Sequence, residues 1–211
     1  LVTGGSNEAL RATGRYFGME QKEIIACKPT YLALLTYAKD FGCDINWVPL
    51  DKDLKYDLNE ISRRTSKNTS MVFICNPNNP TGTMVESTEL EDFCVSTSKQ
   101  TCVFVDEAYY DYSILDGYPT MTKLVKKGHN IIVSRTFSKI YGLAGVRIGY
   151  IISSPERIAS IKKCTMAGTN MLATHAAMAA YDETDFFEYS LNKNKDALNY
   201  FYKLFEELNL E

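Results

Sequence analysis

The chain has 211 residues, 45% of them apolar and 23% charged, which is ordinary globular usage and enough to bury the core of one to two domains. Its 23 basic and 26 acidic residues leave a formal charge of −3, so no basic excess points to nucleic acid and no acidic run to a solvated tail. No apolar run approaches the roughly 20 residues that cross a bilayer, and nothing at the N-terminus reads as a secretory leader.

Short β-rich runs alternate with helical patterns along the chain. Strands are predicted over 1–3, 23–27, 45–50, 70–75, 101–106, 130–135 and 147–152. Helices are predicted over 7–17, 31–41, 58–64, 87–98, 121–127, 155–163, 171–181 and 186–208. The runs MVFIC, CVFVD and NIIVS are continuously apolar, which suits strands buried on both faces. This rhythm predicts an α/β domain whose mostly parallel sheet is covered by helices and joined by right-handed crossovers. The chain opens inside an apolar run without Met and stops inside a helical pattern, so a piece of something longer is expected. Six scattered cysteines (Cys27, Cys43, Cys75, Cys94, Cys102, Cys164) form no CxxC, which favours reduced thiols and a cytoplasmic protein over a disulfide framework or a zinc site. His129 and His175 are isolated and read as structural, so no metal is expected.

In an open α/β sheet, ligands sit beyond the carboxyl ends of the strands. The unusual residues of this chain cluster there. Gly4-Gly5-Ser6-Asn7-Glu8 permits a tight turn into a helix that Ser6 or Asn7 can cap, and free N–H groups at such a helix start bind phosphate; an ordinary capped helix is the plain alternative. It is neither a GxGxxG fingerprint nor a P-loop. Asn76-Pro77-Asn78-Asn79-Pro80-Thr81-Gly82 excludes helix and presents asparagine amides in a set geometry. Asp106 closes an apolar run, where a carboxylate needs a cation or strong donors, unless it is a helix N-cap. Thr136-Phe137-Ser138-Lys139 follows the sixth strand, with Arg147 eight residues beyond the lysine. Flanking hydroxyls and the segment 142–145 argue against a plain solvated loop.

Taken in order, GGSNEA, KPTY, NPNNPTG, DEAY, TFSK and GLAGVRIGY resemble the fold-type-I pyridoxal-phosphate (PLP) enzymes of the class I/II aminotransferase group, and within it the histidinol-phosphate aminotransferases most. The resemblance runs from Leu1 to Ile152 and continues more loosely through Asn170 and the helices beyond. It implies a three-layer α/β/α large domain with a seven-stranded, mostly parallel sheet whose last strand is antiparallel. Residues 1–185 would form this PLP-binding domain, and 186–211 a long helix leading towards an absent C-terminal small domain.

The resemblance also implies roles. Lys139 resembles the Schiff-base lysine, Asp106 the carboxylate that pairs with the pyridine nitrogen, and Tyr109 and Asn79 the donors to the ring's phenolic oxygen. Tyr31 resembles the aromatic that stacks on the ring. Ser6, Asn7, Thr136, Ser138 and Arg147 resemble the phosphate cradle. Lys139, Asp106 and Tyr109 are thus the catalytic candidates. The implied reaction is ping-pong transamination between an amino donor, histidinol phosphate, and a 2-oxo acid such as 2-oxoglutarate, in a homodimer. Two alternatives stand beside it. One is a PLP decarboxylase of the threonine-phosphate type. The other is a truncated, inactive PLP-binding domain, because the family's substrate-binding arginines and an N-terminal tyrosine segment fall outside these 211 residues.

Tyr110 and Tyr112 accompany no basic patch and read as rim or packing residues. In the last helix Leu198, Phe201, Tyr202, Phe205 and Leu208 share one face. That face either packs on the chain's own large domain or belongs partly to the absent small domain, where it would be exposed here or covered by a neighbouring chain; full burial of all five side chains would exclude the second possibility.

Overall fold

The computed structural model describes residues 1–166 and 168–210. The N-terminal half alternates strictly: β1 (Val2–Thr3), α1 (Ser6–Gly18), β2 (Glu23–Lys28), α2 (Ala33–Asp40), β3 (Asp44–Pro49), α3 (Leu58–Arg64), β4 (Thr69–Cys75) and α4 (Ser87–Thr97). It continues through β5 (Cys102–Asp106), α5 (Thr122–Lys126), β6 (Ile131–Thr136) and β7 (Gly149–Ile152). Three helices end it: α6 (Pro155–Lys162), α7 (Met171–Asp182) and α8 (Thr184–Glu207).

The strands form one seven-stranded sheet in the order β1-β7-β6-β5-β4-β2-β3. Only β7 runs against the others, pairing antiparallel with both β1 and β6, as the resemblance implies. The continuous apolar runs explain the middle of this order. Every residue of β4 and β5 is buried, so both strands need neighbours on each edge and helices on each face. The less apolar β3 takes an edge and leaves both its ends exposed.

Local chemistry sets several helix starts. Asp57 caps α3 by accepting the Glu60 N–H at 2.9 Å, Ser154 caps α6 ahead of Pro155, and Asn170 caps α7 through the Leu172 N–H at 2.9 Å. The expected cap of α1 by Ser6 or Asn7 is not formed. The helix starts at Ser6, the capping position is Gly5, and no side chain caps it. Two stretches that the periodicity left as loop, Tyr110–Asp116 and Ala144–Val146, are 3₁₀ turns, a structure too short for a periodic signal.

The apolar face of α8 is exposed: Leu198, Phe201, Tyr202, Phe205 and Leu208 all keep 41–59% of their surface in solvent. Leu191 is the buried residue of that helix. Among the described residues no helix is long and apolar enough to cross a membrane.

Candidate active site

Parallel register sets three side chains in a row at the carboxyl edge of the sheet. Cys75 at the end of β4 pairs with Asp106 of β5, and Asp106 pairs with Ser134 of β6. The loops leaving these strands, together with the start of α1, enclose a cavity of about 270 Å³. It is lined by Ser6, Asn7, Tyr31, Asn79, Asp106, Tyr109, Ser138, Lys139 and Arg147, and also by Cys75, Ala108 and Ala144.

The cavity therefore collects every predicted site residue except Thr136. That residue is buried, and its Oγ1 instead accepts the Ser138 N–H at 3.1 Å. It shapes the turn that carries Ser138 and Lys139, and lines a neighbouring cavity behind the strand.

The asparagine-rich loop shows how the sequence sorts three similar side chains. Asn76 accepts the Val85 N–H and donates to Tyr118 Oη at 2.9 Å. Asn78 is buried, donating to Pro29 O and Thr81 Oγ1 and accepting from Thr30 Oγ1. These two hold the loop. Asn79 is left to face the cavity, where its amide donates to Tyr109 Oη at 3.4 Å. Lys139 Nζ lies 4.9 Å from the centre of the Tyr109 ring, so lysine, phenol and amide form one contact chain.

Asp106 is almost fully buried. Burial pushes its carboxyl up to about 6, against the pull of a Ser134 hydrogen bond at 2.6 Å and the Ala108 N–H at 3.2 Å. The neighbouring Glu107 pushes it further up, and Lys139 draws it down. Glu107 itself turns to the opposite side. There it accepts from Arg135 Nε, Thr120 Oγ1 and the Met121 N–H at 2.7–2.8 Å. Arg135 also stacks over Tyr110, 3.8 Å from the ring centre, and meets Asp111. Tyr110 is thus a packing residue behind the site.

The other end of the cavity is a cup. Arg147 adopts a left-handed backbone, φ 61° and ψ 65°, and its guanidinium donates to Ala144 O and Gly4 O. A Cβ on Gly5 would lie 2.4 Å from Arg147 Nη2, and one on Gly149 would lie 2.5 Å from the Ser6 nitrogen. Only glycine at these two positions lets the guanidinium, the start of α1 and β7 close on one another. Asn7 Oδ1 is buried in this region with no hydrogen-bond partner. An uncapped helix start and a guanidinium together suit a phosphate. A buried carboxylate, a lysine and a half-exposed Tyr31 suit the protonated nitrogen, aldehyde and ring face of PLP, so the residues present fit that cofactor. Among the described residues no three His, Cys, Asp or Glu side chains gather as a metal would require.

Comparison with known proteins places this geometry. Residues 1–210 match the family "Aminotransferase class I and II". A histidinol-phosphate aminotransferase 1 from Bacillus thuringiensis subsp. konkukian is 35% identical over all 211 residues, and the chain spans 57% of that relative's length. Among solved structures, a protein from Erwinia carotovora atroseptica assigned as a histidinol-phosphate aminotransferase is 29% identical; it superposes with a TM-score of 0.93 over the whole chain and 62% of its own. The histidinol-phosphate aminotransferase of Sinorhizobium meliloti, solved in complex with pyridoxal-5'-phosphate, is 26% identical with a TM-score of 0.78, covering 93% of this chain and 53% of that one.

Proposed function

Because this chain belongs to the class I and II aminotransferases, we propose that it holds PLP in the cavity between α1 and the carboxyl ends of β4, β5 and β6. There it would transfer amino groups between histidinol phosphate and a 2-oxo acid such as 2-oxoglutarate. The observation that carries this reading is that Lys139, Asp106 and Arg147, each on a different segment, line one cavity with Tyr31, Asn79 and Tyr109. The relatives' names suggest histidinol phosphate, and the chain's own residues support the cofactor site.

PLP, when bound, supplies an electron sink that makes a proton at the substrate's Cα removable. In this reading Asp106 holds the pyridine nitrogen protonated, and Tyr109 and Asn79 donate to the phenolic oxygen. Tyr31 covers the ring. The start of α1, Ser138 and Arg147 hold the phosphate. Lys139 would anchor the cofactor covalently and then serve as base and acid, moving a proton from the substrate's Cα to the cofactor's C4′ carbon.

The same reading makes residues 1–185 the cofactor-binding domain and 186–211 the start of a connection to a substrate-binding one. It includes a second copy of the chain as partner and a cytoplasmic setting, which the six free, buried cysteines suit. The chain spans 57% of the relative's length, and the same cavity also fits a second reading, a domain that binds PLP without turning over substrate.

Borohydride reduction of the PLP-treated chain followed by peptide mass analysis tests the proposal. The expected result is a single covalent adduct on Lys139 that Lys139→Ala abolishes; an adduct on another lysine overturns the assignment. A Lys139 adduct without amino transfer from histidinol phosphate selects the binding-only reading.

A further inference from the structure

We infer that Ser134 is a positioning residue for Asp106: its hydroxyl, 2.6 Å from Asp106 Oδ1, fixes one carboxylate oxygen and leaves the other to the cavity. This rests on reading the cavity as a PLP site.

Ser134 is anomalous where it stands. It follows Ile131, Ile132 and Val133 in β6 and is 0% exposed, a place where a hydroxyl is unfavourable unless it is hydrogen-bonded. Among the described residues its hydroxyl meets one partner, and that partner is the buried Asp106. The cause is register. Asp106 and Ser134 are direct partners across β5 and β6, so residue 134 is the position on β6 opposite this carboxylate.

Both hydrogen bonds made to the Asp106 side chain fall on Oδ1, the second being the longer Ala108 N–H at 3.2 Å. A carboxylate accepts through both oxygens, and Asp106 lines the cavity with Oδ2 unengaged among the described residues. The hydroxyl thus sets the rotation of the carboxylate and favours its charged form. The other groups facing Asp106 do not duplicate this. Cys75 on β4 is a neutral thiol, its proton affinity raised by burial and by Asp106 itself. Glu107 is engaged by Arg135 on the far side, and Tyr109 lines the cavity wall. Lys139 approaches from the loop after β6 and is the cation whose charge draws Asp106 down.

The test uses the 211-residue chain with Ser134→Ala, which removes one oxygen and adds no volume, and Ser134→Thr, which keeps the hydroxyl. Without cofactor, infrared titration follows the protonated-carboxyl band that Asp106→Asn removes. Ser134→Ala is expected to raise its midpoint by about one pH unit, and Ser134→Thr to leave it near wild type. At pH 7, PLP affinity measured at equilibrium should fall about tenfold in Ser134→Ala and recover in Ser134→Thr. A wild-type midpoint or a wild-type PLP affinity in Ser134→Ala overturns the inference. A shifted midpoint in a chain that takes up no PLP at all overturns the cofactor reading and leaves the hold of Ser134 on Asp106 standing.

Discussion

Gly5 and Arg147 compete for one volume: a Cβ on residue 5 would lie 2.4 Å from Arg147 Nη2. Both residues have a left-handed backbone, Gly5 at φ 85° and Arg147 at φ 61°. Glycine tolerates this, whereas a residue with a side chain is disfavoured by about 1–2 kcal/mol. The strain at Arg147 is offset by the carbonyls that its guanidinium meets.

Gly5→Ala should therefore displace the guanidinium without emptying the core. PLP affinity is expected to fall roughly 10- to 100-fold, the worth of a lost charge-assisted hydrogen bond to phosphate. Isothermal titration measures it. Wild-type affinity in Gly5→Ala would show that Arg147 does not hold the phosphate.

Asp106 makes stability depend on pH. Its carboxyl rises from 3.8 to about 6 on folding because of burial, so between those values the folded chain binds more protons than the unfolded one. The cofactor-free chain should lose stability as pH climbs through that window. Asp106→Asn should flatten the dependence and gain about 2–3 kcal/mol at pH 8 while weakening PLP binding. Urea denaturation at pH 4.5 and pH 8 reads both signs, and an Asp106→Asn chain less stable than wild type at pH 8 would contradict the account.

The ion pair behind the site is structural. Arg135 and Glu107 are buried 2.7 Å apart, and Arg135→Met would leave a carboxylate with only the Thr120 and Met121 donors. A loss of about 3 kcal/mol is expected, partly recovered in Arg135→Met/Glu107→Gln. Denaturant midpoints for the single and double variants form the check, and equal losses in the two would refute the pairing.

The exposed face of α8 should make the chain self-associate. Leu198→Glu with Phe201→Glu, both in that face, is expected to weaken association at least tenfold in sedimentation equilibrium. An unchanged association constant would place the contact elsewhere.

Much of this was legible in the sequence, for identifiable reasons. Continuous apolar runs marked β4 and β5 because burial on both faces leaves no alternation to mislead. Asp106 and Lys139 stood out because each follows an apolar strand at the rim of the sheet, and the resemblance to known enzymes picked out Asn79 and Arg147 beside them. What escaped depends on distances between strands. Ser134 looked like part of an apolar run, since nothing in the run reveals that it faces Asp106 across β5 and β6. Gly149 lies inside the predicted strand 147–152, and nothing in that run reveals that the Ser6 nitrogen lies against it. Thr136 stands apart from its neighbours Ser138 and Lys139 at the cavity: its hydroxyl accepts the Ser138 N–H within its own turn, a local contact that the sequence does not reveal. Ser6 and Asn7 are good capping residues by type, yet the helix begins at Ser6 itself and leaves the cap to Gly5.

The placement of β1 carries a consequence for how the molecule is made. Its sheet partner is β7, with Val2 opposite Tyr150 and Thr3 opposite Gly149, so the first strand must wait for nearly three quarters of the chain before it can pair. The cup at the end of the cavity spans the same divide, with Ser6 on one side and Arg147 on the other. Contacts of such high sequence separation form late, after the local βα units have collapsed. A growing chain that has not yet delivered residues 147–152 can bury most of its central strands but has no cup. The cavity's cup is then among the last parts of the molecule to be assembled.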